Sequence, residues 1–244
     1  MPAQGGSFLD VCTAPRRAHT RAYLRGERAH NVHSVTQENQ QEAQDTPTPQ
    51  QFGVGGRITL AVMSDDYVDV ILTALAEASA EAAQLDVVTD DVSTWATGDE
   101  TALATYFARL IAAAARGGRH VSATVMFSRG CPGEVRCALP AGGGLVSPLP
   151  DVPPTGVVGS AQWALYPLDD SGAADHMRDI YAAIDDARAN GTYVRSDHYV
   201  TRLHGDVATI LQTVAGGWVR VGRTVPHVTT HVTISVNSPS GAAA

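Results

Sequence analysis

The sequence predicts an α+β fold of two tandem βαββαβ repeats, each with an antiparallel four-stranded sheet. Residues 89–128 align without a gap on residues 196–235, and ten of these forty positions are identical. Both stretches carry the same order of strand-like and helix-like patterns, and a segment rich in Pro and Gly lies between them. A constant offset with matched turn and strand positions indicates duplication. The shared element order is that of the ferredoxin-like split unit.

The first copy begins with an alternating segment, which is typical of a strand, and continues with apolar residues at helical spacing. Two short strands follow around a polar turn, and a Gly-Asp pair then opens a second helix before a last strand. The predicted elements are strand Arg57–Met63, helix Asp66–Ala83, strands Val87–Val88 and Val92–Ala96, a helix that starts at Asp99, and strand Val121–Phe127.

The second copy repeats this order. Its predicted elements are strand Ala161–Tyr166, helix Ala174–Arg188, strands Tyr193–Val194 and His198–Leu203, a helix that starts at Asp206, and strand Val228–Val236. Pro167 is expected to stop the pairing of the first strand. The Gly216-Gly217 pair is expected to weaken or end the second helix.

Composition divides the chain further. Residues 1–52 lack a pattern that could form a core and are interpreted as a disordered, dispensable extension. The first repeat is assigned to residues 53–134, a Pro/Gly linker to 135–158, and the second repeat to 159–239, with a short tail at 240–244.

Charge and motif content exclude several functions. The 244 residues carry a formal net charge of −8 and no Lys, so nucleic-acid binding and anionic-lipid binding are disfavoured, and lysine Schiff-base or P-loop chemistry is excluded. No membrane insertion is expected, since no apolar run is long enough. Three cysteines without CxxC spacing predict neither a disulfide framework nor a zinc site, and they favour a cytoplasmic location. Neither a catalytic motif nor a metal-ligand pattern is present, so the chain is not expected to be an enzyme.

The last strand of each copy has a polar face with almost no formal charge. This face consists of Ser122, Thr124, Met126 and Ser128 in the first copy and Thr229, His231, Thr233 and Ser235 in the second. A freely solvated sheet face usually collects charged side chains. The hydroxyl-rich face therefore predicts cover by another sheet or a polar ligand, and we expect a homodimer.

Matched polar positions are candidates for a binding site. Asp99 and Asp206 precede helices and are interpreted as N-caps. Asp90 and Asp197 lie in the turn between the short strands, where they could either hold the turn or contact a ligand. Thr94 and Thr201 lie in strands and could serve the sheet or a ligand. Tyr166 ends a strand, where its ring could stack on a ligand or pack in the core.

Short motifs in both copies resemble the YkoF family. In the second copy they are residues 162–168 (QWALYPL), 197–206 (DHYVTRLHGD) and 235–239 (SVNSP); in the first they are residues 64–67 (SDDY), 89–94 (TDDVST) and 130–134 (GCPGE). The resemblance implies tandem ferredoxin-like, ACT-like repeats that bind thiamine through its hydroxymethylpyrimidine (HMP) moiety. It also implies a soluble binding protein for vitamin uptake or salvage, with no cofactor beyond this ligand and with a thiamine-precursor transporter as a candidate partner.

The resemblance also implies one pyrimidine pocket in each repeat. In the second repeat the expected pocket residues are Tyr166, Asp197, His198, Tyr199, Thr201 and Arg202. In the first repeat their counterparts are Asp90, Asp91, Ser93 and Thr94. The second pocket is expected to be the better one, because the first repeat lacks the Tyr166-Pro167 pair and has Trp95 where the second has Arg202.

Two other functions remain open at this level. An ACT-like regulatory module could bind another small metabolite, such as an amino acid. An enzyme acting on a heterocycle is disfavoured, because no nucleophile, base and orienting group can be assigned.

Overall fold

The structure, a computed structural model, describes residues 48–130, 145–168 and 176–240. Its strands are β1 Gly55–Val62, β2 Asp86–Thr89, β3 Thr94–Thr97, β4 Val121–Arg129, β5 Val158–Leu168, β6 Tyr193–Asp197, β7 Val200–Asp206 and β8 His227–Val236. Its helices are α1 Tyr67–Glu77, α2 Ser79–Ala82, α3 Glu100–Ala114, α4 His176–Ala189 and α5 Val207–Val221, with a 3-10 turn at Arg116–Gly118. Each half has the βαββαβ order, which confirms the predicted fold class. The predicted start of α4 at Ala174 lies outside the described residues.

The two repeats share one sheet. Within the described residues the strand order is β2-β3-β1-β4-β8-β5-β7-β6, so the last strand of each repeat lies at the centre. β4 and β8 pair antiparallel along their whole length, from Val121 opposite Val236 to Arg129 opposite Val228. The sequence predicts two separate sheets, but β4 and β8 would each leave a row of unpaired backbone groups at the edge of its own sheet. Pairing these edges satisfies both rows.

The hydrophobic core lies on the helical face of this sheet. Along β4 and β8 every second side chain is buried, and the side chains between them are half-buried. The core continues from one repeat into the other, because the Phe127 ring lies 5.6 Å from that of Phe107 and 5.2 Å from that of Trp218 (centroid distances). The predicted division into an apolar and a hydroxyl-rich face is therefore confirmed.

Both predicted N-caps are present. One carboxylate oxygen of Asp99 accepts the backbone N–H groups of Thr101 and Ala102, at 2.8 and 3.1 Å. The Asp206 carboxylate accepts the N–H of Ala208 at 2.7 Å and also the hydroxyl of Thr155. These bonds satisfy backbone donors that a helix start leaves unpaired.

Two expectations based on Gly and Pro are wrong. α5 continues through Gly216 and Gly217 to Val221. Gly217 lets the helix pack closely on Trp163, since a Cβ there would lie 2.9 Å from the Trp163 ring, and this packing offsets the low helix propensity of glycine. β5 continues past Pro167 to Leu168, and Pro167 pairs with Val228 of β8. β7 no longer flanks β5 at that point, and proline is tolerated in a strand that is paired on one side.

Some residues assigned to the extension and the linker pack in the core. Phe52 of the extension is buried, as are Leu145, Ser147 and Val152 of the linker. The hydroxyl of Ser147 donates to the Glu100 carboxylate at 2.7 Å. Residues 1–47, 131–144, 169–175 and 241–244, which include the three cysteines, lie outside the described residues.

Candidate functional site

Each repeat contains a cavity between its first strand, its first helix and the hairpin of its two short strands. The first-repeat cavity measures about 490 Å³ and the second-repeat cavity about 260 Å³. The first is lined by Ile58, Leu60, Ala61, Val62, Tyr67, Ile71, Leu75, Thr89, Asp90, Asp91, Val92, Ser93, Thr94 and Leu110. The second is lined by Trp163, Ala164, Leu165, Tyr166, Ile180, Ile184, Ser196, Tyr199, Val200 and Thr201.

The two cavities occupy equivalent places in the duplicated fold. Ile58 lies opposite Val125, and Trp163 lies opposite Val232, which is the repeat equivalent of Val125. By the same register, Ala61, which lies opposite Ser122, is the equivalent of Tyr166, which lies opposite Thr229. Thr94 of β3 matches Thr201 of β7, and these side chains line the two cavities.

Each cavity lies beside an open strand edge. β5 pairs with β7 only as far as Trp163 opposite Thr201, but it stays paired with β8 up to Leu168. β1 likewise loses β3 after Ile58 and stays paired with β4 up to Val62. Backbone groups of an antiparallel strand point alternately to its two neighbours. Within the described residues, the first strand of each repeat therefore offers backbone donors and acceptors toward its cavity.

Two tyrosines line the second-repeat cavity. Tyr199, in the β6–β7 turn, has a φ of 63° and a side chain that is 97% exposed. A bulky residue in the left-handed region costs on the order of 1–3 kcal/mol and is found most often at functional sites. Tyr166 is about half exposed. Trp163 also lines this cavity, and its indole N–H donates to the Thr230 hydroxyl at 2.7 Å, which orients the indole ring.

Three of the predicted second-repeat residues do not line the cavity. The Asp197 carboxylate accepts the N–H of His198 at 2.9 Å, and this bond, together with the Arg195 guanidinium at 3.0 Å, lowers the pKa of Asp197 to about 2. The His198 side chain is exposed at the turn. Arg202 is half-buried between the inward-facing Thr201 and Leu203 and belongs to the opposite face of the sheet.

All four predicted first-repeat residues line their cavity: Asp90, Asp91, Ser93 and Thr94. Asp90 also holds the turn, because its carboxylate accepts the N–H groups of Ser93 at 2.7 Å and Val92 at 2.9 Å. These bonds and the Arg57 guanidinium at 3.3 Å lower the pKa of Asp90. Asp90 therefore both holds the turn and lines the cavity, so the two roles considered for it are compatible.

Sequence reasoning missed the apolar walls of the cavities. Ile71 and Leu75 of α1 and Ile180 and Ile184 of α4 face the two cavities from the helical side. These residues match each other at an offset of 109, so the duplication carried a signal for them. That signal could not be separated from ordinary core periodicity.

The described residues contain no group of three or more His, Cys, Asp or Glu side chains that could hold a metal ion. In the same part of the chain, every helix is too short or too polar to cross a bilayer.

The fold and the paired cavities define a duplicated ferredoxin-like protein with one cavity in each repeat. The model of the YKOF-related family matches residues 53–134 and 158–241, and the chain therefore belongs to this family. It is also similar to a Bacillus subtilis (strain 168) protein named "Putative HMP/thiamine-binding protein YkoF". The two chains are 30% identical over 197 residues, which cover 76% of this chain and 91% of the B. subtilis protein. The predicted family is thus confirmed.

Proposed function

We propose that this protein binds thiamine or its HMP moiety and is not an enzyme. The observation that carries the proposal is the repeated cavity: both copies place hydroxyl groups, an apolar wall and an open strand edge in the same arrangement. The name of the B. subtilis relative supports this choice of ligand.

The chemistry of an aminopyrimidine matches these groups. Its exocyclic amine needs hydrogen-bond acceptors, its ring nitrogens need donors, and its flat faces need apolar or aromatic cover. Open backbone groups of β5, with the Thr201 and Ser196 hydroxyls, supply donors and acceptors in the second repeat. Tyr199 supplies a ring face at the exposed rim of the cavity. In the first repeat the corresponding polar groups are Thr94, Ser93 and the two carboxylates.

The predicted residues have two different roles in this proposal. Tyr166, Tyr199 and Thr201 contact the ligand in the second repeat, as do Asp90, Asp91, Ser93 and Thr94 in the first. Asp197 holds the hairpin that carries Tyr199, through its bond to the N–H of His198. His198 and Arg202 lie outside the cavity lining and are expected to contribute little to affinity.

Calorimetric titration of the full chain with HMP, thiamine and a panel of amino acids tests the proposal. Base–aromatic stacking contributes about 1–3 kcal/mol, so Tyr199→Ala should weaken binding at the second repeat roughly tenfold or more. His198→Ala, at the neighbouring exposed position, is the matched control and should change affinity less than twofold. Melting temperatures separate lost binding from lost stability. Binding of an amino acid, with neither HMP nor thiamine bound, would favour the regulatory alternative and overturn this proposal.

We further propose a homodimer formed through the hydroxyl-rich sheet face. Thr124 and Thr233 lie opposite each other at its centre, are half-buried in the single chain, and have hydroxyls 3.5 Å apart. Light scattering should report twice the mass of the chain, and Thr124→Arg should give a monomer. A wild-type monomer at micromolar concentration would contradict the dimer.

The cellular part of the proposal is a cytoplasmic role in uptake or salvage of the thiamine precursor, with a transporter as a candidate partner. The cysteine content supports the compartment. Growth of a deletion strain with HMP as the only pyrimidine precursor tests the role, and unimpaired growth at limiting HMP would contradict it.

A further inference from the structure

We propose that the outer face of α1 is a docking surface for a basic, amphipathic segment of a partner protein. This face consists of Val68, Asp69 and Leu72, and none of the three lines the first-repeat cavity. The inference goes beyond the proposed function, because it concerns a surface outside the cavities and does not depend on which ligand they hold.

Two apolar side chains are exposed on this face. Val70 and Ala74 of the same helix are buried in the core, and Ile71 lines the cavity. Val68 and Leu72, one helical turn apart, point away from both and are 51% and 59% exposed. The solvent-facing side of a surface helix is ordinarily polar. The outer face of α1 therefore offers two apolar anchors at the spacing that a helical partner can contact.

The second repeat has apolar side chains at the equivalent positions. Met177 and Tyr181 of α4, which match Val68 and Leu72 at the offset of 109, are 53% and 59% exposed. The exposed apolar pair thus occurs in both copies of the fold. The charge around it differs between the copies and decides which partner fits.

The negative charge of the chain is concentrated in the first repeat. Residues 53–134 carry eleven acidic residues and five Arg, against eight and six in residues 159–239, so six of the eight net negative charges lie in the first repeat. All five of its Arg side chains pair with carboxylates of the same repeat. These pairs are Arg57–Asp90, Glu81–Arg109, Glu77–Arg116, Asp66–Arg119 and Glu100–Arg129.

Asp69 lies between the two apolar anchors and, among the described residues, has no basic partner. Asp65, just before the helix, also has none in this part of the chain. The second repeat has Arg178 at the position of Asp69. Apolar anchors beside unpaired carboxylates fit a segment that brings apolar side chains at helical spacing and Arg or Lys beside them. A second copy of α1 fits less well, because a symmetric contact would bring the two Asp69 carboxylates toward each other.

Two synthetic peptides and the full chain test this proposal. Both peptides carry Leu on one helical face, and one has Arg beside the Leu stripe where the other has Glu. The Arg peptide should bind in a fluorescence anisotropy assay, with an affinity that falls as the salt concentration rises, because exposed charges are screened. The Glu peptide should not bind. Equal binding of both peptides, or no binding of the Arg peptide, would overturn the proposal.

Two variants test the location of the surface. Leu72→Ser removes an apolar anchor and should weaken the Arg peptide at least fivefold, and Asp69→Arg reverses the local charge and should weaken it at least threefold. Tyr181→Ser and Asp185→Arg make the same kinds of change on α4 and are the matched controls, with affinities expected within twofold of wild type. Melting curves confirm that each variant is folded. Unchanged affinity in both α1 variants, or equal losses in the controls, would overturn the location.

A gain of binding tests the charge argument. Arg178→Asp gives α4 the charge that α1 has at this position, so the stoichiometry should rise from one Arg peptide per chain to two. An unchanged stoichiometry would contradict the role of charge.

Light scattering and ligand titration separate the remaining outcomes. Leu72→Ser should leave the mass of the wild-type assembly unchanged, whereas a lower mass would assign this face to a contact between copies and overturn the proposal. Leu72→Ser should also bind HMP and thiamine as the wild type does. Failure of peptide binding in the wild-type chain would leave the proposed ligand binding intact, and absence of ligand binding would leave the docking surface intact.

Discussion

Arg129 and Glu100 form an ion pair in the interior of the protein, with 3.4 Å between Nη1 and Oε1. The Arg129 side chain is fully buried and that of Glu100 is 2% exposed. Arg129 also donates to the carbonyl of Leu145, and Glu100 accepts the Ser147 hydroxyl. Burial lowers the pKa of Arg129, and the nearby Glu100 carboxylate opposes this shift. The pair thus ties the end of β4 and the start of α3 to the segment that leads into the second repeat.

Glu100→Ala is expected to lower the free energy of unfolding by about 3–5 kcal/mol, because it leaves the guanidinium buried without its countercharge. Urea denaturation measures this loss. The double variant Glu100→Ala/Arg129→Met should lose less, since both charges are gone. Asp185→Ala breaks the exposed pair with Arg188 and should cost under about 1 kcal/mol. Equal losses for Glu100→Ala and Asp185→Ala would show that the buried pair has no special role.

Phe52→Ala is expected to cost about 3–5 kcal/mol, the usual range for truncating a buried phenylalanine. Its side chain is buried, and its ring centroid lies 5.5 Å from the guanidinium carbon of Arg129. Deleting residues 1–47, by contrast, should leave the unfolding midpoint nearly unchanged, because their composition does not favour a core. A deletion that destabilises as much as Phe52→Ala would contradict the second expectation.

Gly216 and Gly217 should respond in opposite directions to alanine. A Cβ at position 216 would meet nothing within 4 Å, so Gly216→Ala should stabilise α5 by roughly 0.5–1 kcal/mol. A Cβ at position 217 would lie 2.9 Å from the Trp163 ring and 3.1 Å from Ala183, and Gly217→Ala should destabilise by about 1–3 kcal/mol. Thermal unfolding of both variants checks the signs. Stabilisation by both would mean that Gly217 is not required for packing.

Asp197 should contribute to the stability of the second-repeat hairpin in a pH-dependent way. The His198 N–H is the main cause that holds its pKa at about 2, below the ordinary 3.8, so the native state favours the carboxylate. This contribution is complete above about pH 4 and is lost as the pH falls through 2. NMR titration of the carboxyl carbon measures the pKa, and Arg195→Ala should raise it toward 3.8. A carboxyl that titrates at 3.8 in the wild-type chain would remove the basis for this role.

Local patterns predicted much of this molecule. The duplication, the order of strands and helices, and the caps at Asp99 and Asp206 depend on neighbouring residues, and the structure confirms them. Of the predicted pocket residues, Tyr166, Tyr199 and Thr201 and the four from the first repeat line cavities. Arg202 does not, because strand alternation sends it to the opposite face, and the strand boundaries were not known closely enough from the sequence to assign that face.

By itself, the sequence determined the two repeats and the hydroxyl-rich face, since these follow from periodicity and spacing along the chain. It also determined the family, through the resemblance of short motifs in both copies. Only the tertiary structure decided that β4 and β8 join the repeats into one sheet. It alone also decided that cavities open where β1 and β5 extend past β3 and β7. The physical reason is that strand pairing satisfies backbone groups, which are the same in every residue except proline. Which edges meet, and which stay open beside a cavity, therefore depends on how distant segments pack in space.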